Sequence, residues 1–284
     1  MRRCEFFLGV PEAHWVWNGL ARGSCFVSFS RWRERKRYHR AKLPEGARVA
    51  VDSESYTMLS THGRWLTSTS DYVDTVRRVN DEVGELAFAS IRDWMCEPWI
   101  CGGGGKEPGS RRTCPGTGYS LRDHQAFTIE SLFELRQLAP EIPWLPVVQG
   151  YTVEDYLRHV EDYKRAGVDL RAEPRVGAGS VCRRNRSKEI GRLLGALVDE
   201  GLSLHGFGIK AKGLERHAGL VDSVDSMAWA RRGMFESWET GEVDSKGTSF
   251  GNSQEYAEAW RERMEAKIAA GLHVPHQRDL VPAY

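Results

Sequence analysis

The chain has 284 residues, 40 Lys+Arg against 39 Asp+Glu for a formal net charge of +1, 40% hydrophobic residues, and 10 Trp, 9 Tyr and 10 Phe. That is enough for one large domain or two small ones around a sizeable core, and it excludes disordered and collagen-like chains. No apolar stretch approaches the ~20 residues that span a bilayer and the apolar run after Met1 is too short for a signal peptide, so the expected product is a soluble cytoplasmic globule without a membrane partner.

Taken along the chain, short β-branched or aromatic runs predict strands at 5–10, 25–30 and 48–52, with no convincing helix between them. Apolar residues near i, i+3, i+4 and i+7 then predict a helix over 70–83, followed by a strand at 86–93. Residues 99–119 form a Gly/Pro-rich segment, including the glycines 102–105, that reads as a loop insertion. Beyond it come a helix over 124–138, a strand at 144–149, a helix over 153–166, a strand at 175–180, a helix over 187–200, strands at 203–209 and 221–227, and a last helix over 254–270. Eight strands in roughly 250 residues predict one domain over 1–284, an α/β fold of the (β/α)₈ TIM-barrel type with irregular early crossovers.

Several predicted strands finish on Asp, Gln or Gly: Asp52, Asp93, Gln149, Gly177-Ala178-Gly179 and Asp225. In a barrel these ends converge on one mouth, where the active sites of this fold lie. A single acidic residue at a strand end is usually a turn cap. Three facing one pocket suit glycosidic-bond chemistry, in which one carboxylate attacks or stabilises the anomeric carbon and another handles the proton. Asp222 is a rival nucleophile, which strand alternation places on the opposite face from Asp225.

Other signals are weaker. Lys106 follows a glycine run but is succeeded by Glu107, which rejects a phosphate loop, and the glycine pairs at 177/179 and 206/208 lack the remainder of a dinucleotide fingerprint. Such glycines let backbone approach a flat ligand. Six scattered cysteines predict reduced thiols. Cys96, Cys101, Cys114 and His124 could together supply zinc ligands, at a spacing that matches no common finger or ribbon. His205, on an apolar strand, reads first as a hydrogen-bonded core histidine and second as a proton shuttle. The run 31–42, RWRERKRYHRAK, is either a solvated face or a patch in which Arg31, Arg33, Arg35, Lys36 and Arg37 meet phosphates while Trp32, Tyr38 and His39 stack on bases. Arg183 and Arg184 add positive charge beside the expected mouth.

The segments VDSESY (51–56), IRDWMCEP (91–98), PVVQG (146–150), VGAGS (176–180), HGFGIK (205–210) and SVDSMAW (223–229) resemble, in order, the motifs of the tRNA-guanine transglycosylases. They resemble more closely the DNA-acting relatives of phages and bacteria, the 7-deazaguanine DNA-modification (DpdA) group. The resemblance covers most of the chain. It implies that Asp225 is the nucleophile at C1′ of the target guanosine and Asp52 the general acid/base that deprotonates the incoming 7-deazaguanine. It further implies that Tyr56 stacks on the base, that Asp93 and Gln149 bond its Watson–Crick-like edge, and that backbone around Gly177, Ala178, Gly179 and Ser180 meets its remaining polar atoms. Arg231 falls where the family has an arginine.

The implied partners are DNA and a free deazaguanine base (preQ0-type) as co-substrate, with room for a protein that opens the duplex, and no cofactor. The family's structural zinc is not expected, because residues 234–258 contain no Cys or His. Glu54-Ser55 in place of paired glycines, Trp229 in place of a proline, and the absence of a separate RNA-binding domain suit the DNA-acting branch. The alternatives are the same exchange on tRNA, a catalytically silent nucleic-acid-binding barrel, or a hydrolase in which water replaces the incoming base.

Overall fold

The computed structural model describes residues 4–182, 184, 188–209 and 211–272. Its strands are β1 (Glu5–Val10), β2 (Cys25–Ser28), β3 (Val49–Asp52), β4 (Leu86–Ser90), β5 (Gly105–Lys106), β6 (Thr113–Cys114), β7 (Trp144–Leu145), β8 (Val147–Val148), β9 (Val176–Ala178), β10 (Leu204–Gly206) and β11 (Ser223–Ser226). The α-helices are α1 (His14–Trp17), α2 (Phe29–Arg33), α3 (Ser55–His62), α4 (Thr69–Arg78), α5 (Leu121–Leu138), α6 (Val153–Arg165), α7 (Lys188–Asp199), α8 (Ala211–His217), α9 (Ala228–Thr240) and α10 (Gln254–Gly271). Among these described residues no helix is long and apolar enough to cross a membrane.

The main sheet is parallel, in the order β7-β4-β3-β2-β1-β11-β10-β9-β8. β7 and β8 are two halves of one predicted strand, parted at Pro146, which has no N–H to give to a ladder. The first half pairs with β4 and the second with β9, so the sheet closes on itself into an eight-membered ring. This is the predicted TIM-type barrel. Phe7, Phe26, Ala50, Phe88 and Leu145 point inward and fill its lower interior. Their alternating neighbours, such as Phe6 and Leu8, point outward into a larger core shared with the helices.

The strands are shorter at their C-terminal ends than the sequence suggests. Residues 29 and 30 belong to α2, and the main sheet ends at Ser90 in β4 and at Gly206 in β10. The residues beyond these points leave the ladder to build the mouth. The early crossovers are irregular as expected, α1 being a single turn, but α2, α3, α8 and α9 were not foreseen because each is short or lacks a regular apolar stripe. The 99–119 segment is more than a loop, since β5 and β6 pair antiparallel within it. Its glycines are required by close approach: a Cβ on Gly104 would lie 2.3 Å from the Cys114 carbonyl oxygen.

The last helix seals the opposite end of the barrel. Arg261 is buried, donating from Nη1 to the Ser24 carbonyl at 2.9 Å and from Nε to Glu258 at 3.0 Å. Glu258 in turn accepts from the Arg22 N–H at 3.1 Å. A second charged cluster, Glu5 with Arg48 and Arg175, closes the strand starts.

Candidate active site

The C-terminal ends of β2, β3, β4, β9, β10 and β11 surround a cavity of about 180 Å³, lined among others by Phe26, Asp52, Tyr56, Asp93, Gly179, Ser180, Phe207 and Asp225. Three carboxylates from three different strands therefore face one small space. Asp52 closes β3, Asp225 is the next-to-last residue of β11, and Asp93 lies three residues beyond the end of β4.

Asp225 is 8% exposed. Its Oδ1 accepts from the Gly208 N–H at 3.0 Å and lies 3.3 Å from His205 Nε2, which leaves Oδ2 for the cavity. His205 is fully buried, with Nδ1 against the Ser223 hydroxyl at 2.8 Å and its ring among Phe7, Phe26, Phe88 and Phe207. That apolar cage lowers the histidine's pKa, against the pull of Asp225, so the ring is neutral. Asp222 lies at the opposite end of the strand, where its Oδ2 accepts from the Leu204 N–H at 3.0 Å. It lines a cavity at the strand starts.

Asp52 accepts from the Glu54 N–H at 3.1 Å. Burial in the mouth, and then the nearby Asp225, Glu54 and Asp93, push its carboxyl up to about 7. Glu54 takes the left-handed conformation, φ 66°, as does Ser180 at φ 50°. Both are non-glycine residues at the cavity, where such strain concentrates. Glu54 is steadied by the Ser30 hydroxyl at 2.7 Å.

Asp93 and Gln149 touch. The Gln149 side-chain amide donates to Asp93 Oδ2, while the Ser55 hydroxyl donates to Oδ1 at 2.5 Å. Desolvation pushes Asp93 up to about 6 against these two donors. The main chain of Gln149 is clamped as well. Its N–H donates to His159 Nδ1 at 2.8 Å and its carbonyl accepts from Gln125 Nε2 at 2.7 Å. Burial lowers His159 to about 4, so it is a neutral acceptor. Glycine at 179 leaves room for this amide, since a Cβ there would sit 2.2 Å from Gln149 Nε2 and displace it.

The structure thus brings Asp52, Tyr56, Asp93, Gly179, Ser180 and Asp225 around the cavity, with the fully buried Gln149 bonded behind Asp93. Gly177 and Ala178 lie lower, within β9. The Gly177 N–H bonds Pro146, and the Phe207 ring covers the place where a Cβ would project. These two pack the site's side chains and do not line the cavity. Phe26 adds aromatic surface the sequence did not single out; Ser55, Glu97 and Phe207 lie inside the segments 51–56, 91–98 and 205–210 without having been given a role, and the polar supports Gln125 and His159 lie outside every quoted segment.

The basic run divides. Trp32 is fully buried and Tyr38 7% exposed, the latter donating to the Trp32 carbonyl at 2.9 Å. They pack against Trp17, which corrects the expectation that they stack on bases: an aromatic every few residues among cations is here the buried face of an amphipathic segment. Arg31 and Arg35 pair with Glu12. Arg33, Lys36 and Arg37 are exposed, as is Arg231, whose guanidinium lies over the Phe235 ring. Arg184 is committed to Glu189 and to the Tyr151 carbonyl and ring. Arg183 falls outside the described residues.

No group of three or more metal-ligating side chains occurs among the described residues. His124 anchors the 99–119 segment instead, with Nδ1 2.5 Å from the Met95 carbonyl oxygen and Nε2 2.6 Å from the Thr117 hydroxyl. Trp229 ties the ends of β1 and β11 together by donating to the Gly9 carbonyl at 2.7 Å.

Among solved structures, a crystal structure of a putative isomerase from Sinorhizobium meliloti matches with a TM-score of 0.38 and 14% identity, over 79% of this chain and 51% of that one. This chain therefore spans about half the length of that protein. No curated protein matches. The family model for DpdA, described as DeoxyPurine in DNA protein A, matches residues 1–278, nearly the whole chain that builds this mouth, and the protein belongs to that family.

Proposed function

We propose that the protein is a DNA-modifying transglycosylase that exchanges guanine in DNA for a 7-deazaguanine base. The observation that carries the reading is the meeting of Asp52, Asp93 and Asp225 around one small cavity, in a chain that belongs to the DpdA family. A space of about 180 Å³ is smaller than the ~300–1,000 Å³ of drug-sized sites. It suits one planar base, so the reacting nucleotide leaves the stack and enters base first.

In the exchange Asp225 Oδ2 attacks C1′ of the deoxyribose, the C1′–N9 bond breaks, and guanine departs with a proton. N9 of the deazaguanine then attacks C1′, the ester to Asp225 breaks, and the proton on N9 passes to a base. Asp52, held near neutrality by its surroundings, supplies and takes up that proton. The covalent ester conserves the glycosidic bond's energy, so no further energy source enters. Asp93 accepts from N1–H and the 2-amino group, and Gln149 completes the edge. Tyr56, Phe26 and Phe207 provide the apolar walls.

The test is to incubate the protein with DNA, and separately with tRNA, together with a panel of 7-deazaguanines, and to weigh the nucleosides after digestion. A deazaguanine deoxynucleoside from DNA is expected. A modified ribonucleoside from tRNA alone overturns the choice of polymer, abasic sites identify a hydrolase, and no product despite DNA binding makes the barrel a silent binder.

A further inference from the structure

Behind the base-reading pair lies a carboxyl that the exchange does not use. Glu97 is fully buried, and its Oε2 lies 2.8 Å from the Ser180 hydroxyl oxygen. The same hydroxyl oxygen is 2.7 Å from Gln149 Oε1 and accepts from the Cys96 N–H at 2.9 Å. Gln149 continues the chain to Asp93 through its amide nitrogen.

Counting protons along this chain shows one too few. Ser180 has a single proton for two oxygen contacts, to Gln149 Oε1 and Glu97 Oε2, and neither neighbour carries a hydrogen if Glu97 is ionised. Turning the Gln149 amide over moves the deficit without curing it, because its oxygen then faces Asp93. Every contact is satisfied only when one carboxyl of the chain is a neutral acid. With the proton on Glu97, Glu97 donates to Ser180, Ser180 to Gln149 Oε1, and the Gln149 amide to an ionised Asp93. With the proton on Asp93, every donor in the chain is reversed and Gln149 turns over.

We propose that Glu97 is a positioning residue for base recognition: as a neutral acid donating to Ser180, it holds Gln149 with its amide towards Asp93 and so keeps Asp93 an ionised acceptor. This rests on the reading of Asp93 and Gln149 as the pair that meets the base. The consequence is specificity. An ionised Asp93 is a strong acceptor for a base edge made of donors, the N1–H and 2-amino group of a guanine-type ring, whereas in the reversed chain Asp93 is a neutral acid whose one proton is committed to Gln149 and whose oxygens accept weakly.

Two observations agree with the assignment. Glu97 Oε1 is buried with no hydrogen-bond partner among the described residues, a far smaller cost for the carbonyl of an acid than for a carboxylate. Burial also pushes both carboxyls of the chain above the usual carboxylate range, Glu97 to about 7 and Asp93 to about 6, as a line of groups sharing one proton requires. The groups facing it are Asp93 and the thiols and phenol of Cys96, Cys101 and Tyr156, with Arg184 the one opposing cation among the described residues.

The experiment is calorimetric titration with free guanine from about pH 6 to about pH 8. It is done in an Asp52→Asn background, which removes the cavity carboxyl outside this chain that is raised to about 7. With Glu97 intact, affinity falls by up to about tenfold per pH unit once the proton is lost. Glu97→Gln, whose amide donates to Ser180 at any pH, keeps its low-pH affinity throughout, and Glu97→Leu binds weakly at both extremes. The same pH profile in Glu97→Gln as in the parent overturns the proposal. Asp93→Asn separates the two ideas: if it loses guanine, the site reading stands whatever Glu97 does, and if it binds as the parent does, both fall. Should Glu97→Gln not fold, infrared spectroscopy of the Asp52→Asn protein decides. A carboxylic-acid carbonyl band present at low pH, lost by about pH 8 and retained in Asp93→Asn supports the assignment, and its absence at low pH or its loss in Asp93→Asn overturns it.

Discussion

Asp225 and Asp52 owe their different roles to what surrounds them. Asp225 has one oxygen bonded by a backbone N–H and approached by a neutral histidine, which orients the other towards the sugar. Asp225→Asn is expected to abolish exchange while base and DNA binding persist, as read by nucleoside mass spectrometry beside a binding titration; full activity would remove Asp225 from the chemistry. Asp52 is raised to about 7, so it is mostly protonated below that pH and mostly ionised above it. A residue that must both give and take a proton then produces a bell-shaped pH profile with a limb near neutrality. Asp52→Asn should lower kcat by at least ~10²-fold and erase that limb, and a surviving limb would assign it to another group. Gly179→Ala should leave the fold intact but displace Gln149, weakening guanine binding about tenfold or more, the cost of one displaced hydrogen-bonding pair. Unchanged affinity would show that Gln149 does not meet the base.

The run 31–42, which crosses from the end of α2 into irregular chain, carries two kinds of side chain. Trp32 and Tyr38 were legible as aromatics but not as core, because α2 spans only Phe29–Arg33, too few residues to display a helical period. Burial assigns Trp32 to stability. Trp32→Ala should cost about 3–5 kcal/mol, seen as a lower denaturant midpoint with an unchanged slope of DNA affinity against salt. Neutralising Arg33, Lys36 and Arg37 together should do the reverse, flattening the salt slope by up to about three while stability stays within ~0.5 kcal/mol. An unchanged slope would make these cations a solvated face. β7 and β8 make the complementary point, since the apolar run around Pro146 announces a strand but not that its halves pair with different neighbours.

Closure of the barrel depends on contacts between the far ends of the chain. Arg261 and Glu258 on α10 meet Ser24 and Arg22 at the start of β2, and a buried pair of this kind leaves a costly bare charge if one member is removed. Arg261→Ala should therefore lose about 3–5 kcal/mol in equilibrium denaturation, with exchange activity intact at low temperature because the mouth is at the other end. The barrel itself was readable from the sequence: inward and outward residues alternate along β1, and the strand and helix runs that follow have distinct periods. Asp52, Asp93, Gln149 and Asp225 were readable too, as polar residues closing apolar runs. What the tertiary structure alone decided is which of them touch and what supports them. Glu97, Ser180, Gln149 and Asp93 are separated by up to 87 residues in the chain and form one hydrogen-bonded line only when β4, β8 and β9 are placed side by side. Local sequence specifies period and propensity, whereas proton positions and the fate of a buried carboxyl are set by desolvation and partners that exist only after the barrel has closed.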